Sequence, residues 1–146
     1  MASKKHRQSS GHFAGVPDKV MCHPDYIALS YSAKALLFEF ALQYRGKNNG
    51  KLCAIYSQLK PRGWKSEATL RKALKELIDS NLILVSKIGM YGNGGRQPNF
   101  YAITWQPVYQ IAGFTMDMEP TNTPVRQFSI ELRAISTLET KLSLNR

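Results

Sequence analysis

The segment WKSEATLRKALKELIDSNLI, residues 64–83, predicts the central helix of this chain. Ser66 predicts where the helix starts, because a serine hydroxyl accepts hydrogen bonds from the free N–H groups of a first turn. Asn81 is a typical residue for its end. The apolar residues between them recur at helical spacing, which predicts one buried face; they are Leu70, Ala73, Leu74, Leu77 and Ile78.

The opposite face of this predicted helix is cationic. A rotation of about 100° per residue brings the remaining side chains to one side; they are Lys65, Ala68, Arg71, Lys72 and Lys75. A helix with an apolar back and a cationic front fits the major groove of DNA. A solvated helix in any small α+β domain shows the same pattern, so the helix alone leaves both interpretations open.

A β-hairpin is predicted directly after the helix. Residues 82–88 are rich in β-branched and aliphatic side chains, and residues 100–105 form a second such run. Residues 89–98 hold four glycines, which predicts a long loop and not a tight two-residue turn. A recognition-type helix followed by a hairpin with a polar tip is the layout of a winged helix-turn-helix.

Two helices are predicted upstream of the central one. Ser30 or Ser32 caps the first, whose apolar stripe we expect to be buried; it consists of Ala33, Leu36, Leu37, Phe40, Ala41 and Tyr44. Residues 45–50 have helix-stop and turn chemistry, and residues 51–53 fit a short strand. Residues 54–59 predict a short second helix, and residues 61–63 the turn before the third.

The charge of the chain indicates an anionic partner. Its formal net charge is +10, and residues 32–104 hold 12 Lys or Arg against 4 acidic residues. The excess therefore lies in the predicted helix-turn-helix and hairpin. Residues 1–12 are interpreted as a disordered basic arm, in which Lys4, Lys5 and Arg7 reach DNA or simply aid solubility.

The candidate DNA-binding residues follow from these placements. We expect Arg71 and Lys72 in the major groove, with Ser66 and Thr69 near its edge. We expect phosphate contacts from a further group of side chains; it consists of Lys60, Arg62, Lys65, Lys75 and, at the base of the hairpin, Lys87. Asn93 and Arg96 at the tip are expected to lie along the minor groove.

The last third of the chain predicts an extension. Residues 106–124 contain three prolines and are interpreted as a linker. Phe128, Leu132, Ile135, Leu138 and Leu142 then follow helical spacing, with residues 123–124 as the cap. Strand-like alternation at residues 128–132 competes, and we favour the helix. Its apolar face could dock on the domain or pair two subunits in a homodimer, with a floppy tail as the third alternative.

No catalytic or metal-binding pattern is expected. Cys22 and Cys53 suggest no disulfide framework, and the histidines lack the paired spacing of a zinc site. The glycines of residues 89–95 precede a strand, whereas a phosphate-binding loop precedes a helix. We therefore expect a non-enzyme without a cofactor. Because neither a secretory signal nor a membrane span is visible, a cytoplasmic location is expected.

Four short motifs sharpen this interpretation. In order they are Phe13-x-x-x-Pro17, Leu29-Ser-x-x-Ala-Lys34, Asn49-Gly-Lys-Leu52 and Pro98-Asn-Phe-Tyr101. In this order they resemble the N-terminal winged-helix domains of plasmid and phage replication initiators and related phage-borne regulators, over roughly residues 13–105. The resemblance implies binding to double-stranded DNA at repeated or palindromic sites, often as a dimer.

One departure from that family narrows what the resemblance implies. Residues 106–146 leave no room for the further domain of larger initiators, so a repressor or accessory role stands beside replication initiation. Two other function classes stay open. One is a binder of RNA or single strands that uses Tyr91, Phe100, Tyr101 and Trp105. The other is a protein-interaction module on the same scaffold.

Overall fold

The structure is a computed structural model that describes residues 11–145. Within these residues it is an α+β fold, which confirms the α+β part of the predicted fold class. Its helices are α1 (Asp18–Met21), α2 (Pro24–Ile27), α3 (Tyr31–Gln43), α4 (Tyr56–Leu59), α5 (Glu67–Asp79) and α6 (Phe128–Leu144). Its strands are β1 (Ile83–Lys87), β2 (Tyr91–Gly92), β3 (Gly95–Arg96) and β4 (Phe100–Ile103). The basic side chains predicted in the N-terminal arm lie outside the described residues.

Two one-turn helices, α1 and α2, precede the core, and prolines start both. Pro17 is the N-cap of α1, and Pro24 is the first residue of α2, where a missing N–H costs nothing. The buried His23 caps α2, because its Nδ1 accepts a hydrogen bond from the Asp25 N–H at 3.1 Å. Both helices stay short. Phe13, in the first of the four motifs, is 79% exposed.

The core is built on α3 packed against α5, and a serine caps each helix. The Ser30 hydroxyl accepts from the Ala33 N–H, and the Ser66 hydroxyl accepts from the Thr69 N–H. Asn81 follows α5 with a left-handed φ of 55°, as predicted for the residue that ends the helix. Most of the predicted apolar stripes are buried: Ala33, Leu36, Leu37, Phe40 and Ala41 in α3, and Leu70, Ala73 and Leu77 in α5. The rest are half-buried: Tyr44, Leu74 and Ile78.

A carboxylate of α5 also holds the first turn of α3. Glu76 accepts hydrogen bonds from the Ser30 N–H at 3.0 Å and from the Ser30 hydroxyl at 2.6 Å. The hydroxyl's bond, followed by that of the backbone N–H, lowers the pKa of Glu76 below its ordinary value. The contact therefore stabilises the packing of α3 on α5 only while the carboxylate is ionised.

Replacing Glu76 with glutamine is expected to lower the free energy of unfolding at pH 7 by about 1 kcal/mol, a modest value because the contact is at the surface. Since the pKa of Glu76 is lowered in the folded state, its contribution is present above the ordinary value of 4.5 and is lost as the pH falls through the folded-state value. Urea denaturation at neutral and acidic pH measures this. The gap between the two proteins should close in acid, and Glu139→Gln on α6 should leave stability unchanged at both pH values.

The connection from α3 to α5 contains the predicted short helix and turn. α4 is followed by a turn of 3-10 helix (Lys60–Arg62), and Gly63 takes a left-handed φ of 104°. The buried Trp64 then donates its N–H to the Leu59 carbonyl at 3.3 Å. This hydrogen bond and the turn at Gly63 fix the direction of α5 relative to α4.

β1 and β4 pair in the antiparallel sense, with one irregularity. The register shifts between Val85 and Lys87, so Ser86 forms a bulge. On the other side of β4, Leu52 makes a single bridge to Tyr101 where a third strand was predicted. A bulge changes the side to which the following residues of the strand point, and Lys87 directly follows this bulge.

The tip of the hairpin differs from the sequence expectation. Residues 89–98 are not an open loop, because β2 and β3 pair within them and the two-residue turn Asn93-Gly94 joins them. Asn-Gly is a favoured pair for such turns, so the prediction against a tight turn is wrong at the tip. At the neck, the Gln97 carbonyl oxygen occupies the space that a side chain at Gly89 would need. We call residues 89–98 the wing.

Residues 106–127, here called the strap, have no regular secondary structure but are fixed to the domain. Val108 is fully buried, and the Asp117 N–H donates to the Ser86 carbonyl at 2.7 Å. The side chain of the buried Asn49 donates to the Gln106 carbonyl at 3.1 Å. Residues 106–124, interpreted from the sequence as a linker, are therefore held on the sheet by an apolar anchor and hydrogen bonds.

The end of the described chain forms a helix, α6, and not the alternative strand. The helix starts later than predicted. Its N-cap is Gln127, which makes no side-chain cap bond, so residues 123–124 do not cap it. Phe128 is buried, whereas Leu138 and Leu142 are 60% and 68% exposed. The second half of α6 therefore projects from the domain. None of the described helices is long and apolar enough to cross a membrane.

Candidate nucleic-acid interface

The outward face of α5 is cationic and open to solvent. Lys65, Arg71 and Lys72 are exposed, as helical spacing predicts, and so is Ala68 between them. Lys65 and Arg71 make no hydrogen bond or ion pair with another described residue. The charge of Lys72 helps to lower the pKa of Glu76, after the hydrogen bonds from Ser30. This face can therefore receive an external anion.

Polar groups surround the start of α5. Lys60 is exposed on the 3-10 turn, and Thr69 is exposed one turn into the helix. Ser66 and Thr69 line a pocket of about 370 Å³ between α3 and the start of α5. The Ser66 oxygen is already used by the helix cap, which leaves its O–H as the group that can donate to a ligand.

Arg62, predicted to contact a phosphate, is half exposed and paired with a carboxylate of the protein. Its Nε donates to a carboxylate oxygen of Glu39 at 2.6 Å, and the Glu39 side chain is only 16% exposed. This hydrogen bond raises the pKa of the Arg62 guanidinium. Arg62 therefore ties the 3-10 turn to α3 and positions the start of α5.

Lys75 lies further along the same helix and is also paired. Its ammonium lies 2.6 Å from a carboxylate oxygen of Asp79, and both side chains are more than half exposed. Exposed pairs at this spacing contribute about 0.3–0.5 kcal/mol. A phosphate can therefore replace Asp79 as the partner of Lys75 at little cost.

The wing places Arg96 beside the start of α5. Arg96 and Glu67, in the first turn of α5, line the same cleft of about 420 Å³. The Arg96 guanidinium lies 5.9 Å from the centre of the Tyr91 ring, and Asn93 is exposed at the turn. The structure thus brings Arg96 of the wing next to the first turn of α5.

Lys87 does not join this surface. Its ammonium lies 4.9 Å from the centre of the Phe114 ring of the strap, next to Phe100 of β4. The neighbouring Tyr101 lines the cleft that contains Arg96, and successive strand residues point to opposite faces. Lys87 therefore lies on the side of the hairpin away from α5, apart from the other predicted DNA-binding residues.

Lys51 is not among the candidate binding residues predicted from the sequence. Its ammonium lies 5.3 Å from the same Phe114 ring, so two lysines share one aromatic partner. Lys51 stands inside the motif that begins at Asn49, which is the signal that could have drawn attention to it. No sequence pattern indicated a role for Phe114, because its segment was interpreted as a linker.

The aromatic residues considered for stacking on single strands are mostly unavailable. Tyr101 and Trp105 are 5% and 8% exposed, and Tyr101 packs against Phe40 in the core. Phe100 is half-buried against Phe114, with the ring centres 5.0 Å apart. Tyr91 alone of the four is widely exposed, so these residues form no stacking platform.

The comparisons with known proteins find no match, whether the chain is compared with family models, with curated proteins or with solved structures. Within residues 11–145, no group of three His, Cys, Asp or Glu side chains is placed to hold a metal ion. What supports a function is therefore the arrangement of the chain's own residues.

Proposed function

We propose that residues 13–105 form a winged helix-turn-helix and that the protein binds specific sequences of double-stranded DNA. The observation that carries this proposal is the exposed cationic face of α5, with Arg96 of the wing beside its start. In this proposal α3, α4 and α5 are the three helices, and α5 is the recognition helix. The β1–β4 hairpin carries the wing.

The contacts can be assigned from the chemistry of the side chains. The major groove is about 12 Å wide and admits one α-helix. The Arg71 side chain has no partner among the described residues and can donate two hydrogen bonds to one guanine edge, with Lys72 beside it. Lys60 and Lys65 flank the start of α5 and would bind phosphates of one strand.

The wing would extend the contact beyond the major groove. A narrow minor groove has an enhanced negative potential, which favours an inserted guanidinium. Arg96 stands on the side of the wing that faces α5, and Asn93 stands at the turn. Both would therefore lie along the minor groove that flanks the site read by α5.

The biological role that we propose is that of a transcriptional regulator, or of a replication initiator or accessory factor, of a plasmid, phage or other mobile element. Its support is the order of the four motifs quoted above. Asn49, which stands in one of them, has a physical role here: it is buried and its side chain bonds both to the Ile103 backbone and to the strap.

Binding selection from a random duplex library, followed by titrations over salt, tests the proposal. About four phosphate contacts predict a slope of about −3.6 for log affinity against log salt concentration. A single strand of the selected sequence serves as the control and should bind more weakly than the duplex. A flat salt dependence, or equal affinity for the single strand, would contradict duplex recognition.

We also propose that the protein acts as a homodimer through α6. The apolar stripe of α6 begins at the buried Phe128 and continues through Ile135 to Leu138 and Leu142, which are largely exposed. The helix contains two acidic and two basic residues, whereas the whole chain carries +10. Two copies can therefore approach each other along α6 without the repulsion that their other surfaces would cause.

Leu138→Glu is expected to weaken self-association at least about tenfold, because it places a charge in the apolar contact of both subunits. Sedimentation velocity of the full chain over a range of concentrations measures this. Thr140→Glu adds the same charge on the opposite side of the helix and should leave the dimer intact. A wild-type protein that stays monomeric at every concentration would rule out the dimer.

A further inference from the structure

A second candidate site lies on the side of the wing away from α5. It is a pocket of about 430 Å³ between the wing and the strap. Pockets for small ligands are typically of this size, with apolar linings and a few polar groups. None of the residues assigned to the proposed DNA contact lines this pocket, although Arg96 of that contact lies over Tyr91 at its rim.

The floor and rim of the pocket are apolar and unusually open to solvent. Phe100 and Phe114 meet edge to face at its base, with ring centres 5.0 Å apart. Ile88, Met90 and Tyr91 line it and are 62%, 75% and 82% exposed. Large exposed apolar side chains gathered around one concavity mark a binding site more often than an accident of folding.

Two cations stand beside this floor. The ammonium groups of Lys51 and Lys87 lie 5.3 Å and 4.9 Å from the centre of the Phe114 ring. Cation–π contacts hold both groups near the same ring, so their positive charges add. Neither lysine forms an ion pair with a carboxylate among the described residues.

The strap also carries a carboxylate, that of Asp117, which is bonded to the hairpin. The Asp117 carboxylate accepts the Ile88 N–H at 2.7 Å and forms no ion pair with either lysine. The strap thus fixes Asp117 on the hairpin backbone, and among the described residues neither ammonium group is paired with a carboxylate. An anion is the partner that satisfies them.

We propose that this pocket binds a small organic anion with an apolar body. Its carboxylate or phosphate would lie between Lys51 and Lys87, and its aromatic or aliphatic body would cover Phe100 and Phe114. The two lysines would make the pocket selective for a negatively charged ligand. The apolar floor would provide most of the surface area buried on binding. A simple inorganic anion has no apolar body to cover the apolar floor.

Calorimetric titration of the full chain with 2-naphthoate, 2-naphthyl phosphate and the neutral 2-naphthol tests the proposal without DNA. Both anions should bind at least tenfold more tightly than 2-naphthol. The anion with the lower Kd identifies the preferred head group. Equal affinities for the neutral and anionic probes, or no binding at millimolar concentrations, would overturn the proposal.

Variants separate the two halves of the site. Lys51→Gln combined with Lys87→Gln should remove the tenfold preference for anions and leave 2-naphthol binding unchanged. Phe114→Ala should weaken all three probes. The matched control is Lys34→Gln, since Lys34 also lies over aromatic rings, those of Tyr26 and Tyr31. If that control reduces the preference as much as the double variant does, the pocket is not the binding site.

Discussion

Replacing Arg126 with alanine is expected to lower the free energy of unfolding by about 3 kcal/mol, the upper end of the range for losing hydrogen bonds to charged groups. The Arg126 side chain is 14% exposed and joins three parts of the chain. Its Nη2 donates to Asp25 at 2.8 Å and to Glu131 at 2.6 Å. Its Nη1 donates to the Ser80 carbonyl, at the end of α5, at 2.9 Å.

The guanidinium also packs on an aromatic ring. Its centre lies 4.3 Å from that of Phe128, the buried first residue of α6. Burial alone would lower the pKa of Arg126, but the bonds to Glu131 and Asp25 outweigh it and raise that pKa. The bond from Arg126 in turn lowers the pKa of Glu131. Without Arg126, the two carboxylates and the end of α5 lose their shared donor.

Urea denaturation measures the loss, and limited proteolysis shows where it acts. Arg126→Ala should expose α6 to protease at concentrations of urea that leave the remainder folded, because Arg126 holds the start of α6 on the domain. Arg133→Ala on the exposed part of α6 is the matched control and should change stability by less than about 0.5 kcal/mol. Equal effects of the two substitutions would show that Arg126 is not the anchor.

The contrast between α5 and Arg126 shows what could be predicted from the sequence. The cap, the apolar stripe and the left-handed residue at the end of α5 are all local, so the sequence pattern specifies them. The Arg126 contact with Asp25 spans 101 positions in the chain, and the Asn49 bond to Gln106 spans 57. No periodicity encodes such pairs, which is why the strap was taken for a linker.

The candidate DNA surface likewise contains some residues whose positions the sequence predicts and others whose positions it does not. Helical spacing alone predicted that Lys65, Arg71 and Lys72 would be exposed together. The position of Arg62 depends on Glu39, 23 residues earlier. The side occupied by Lys87 depends on the register shift in β1, and one inserted residue reverses the face on which a strand residue lies. Neither dependence is visible in the residues themselves.

Arg71→Ala is expected to reduce affinity for the selected duplex by about 1–3 kcal/mol, which corresponds to about 5- to 150-fold. The prediction rests on the proposed docking of α5 in the major groove. Arg71 is exposed near the middle of the cationic face, and its side chain has no partner within residues 11–145. Its loss therefore removes contacts to the base edge and should leave the fold intact.

Comparison with Lys75→Ala separates base reading from phosphate binding. Lys75 is on the same helix, and its exposed pair with Asp79 contributes little to stability. Its loss should weaken selected and random duplexes alike and reduce the steepness of the salt dependence by about one unit. Arg71→Ala should instead weaken the selected duplex far more than random ones. If it weakens both to the same extent, Arg71 binds phosphate, and the base-reading contacts of α5 must come from its other outward residues.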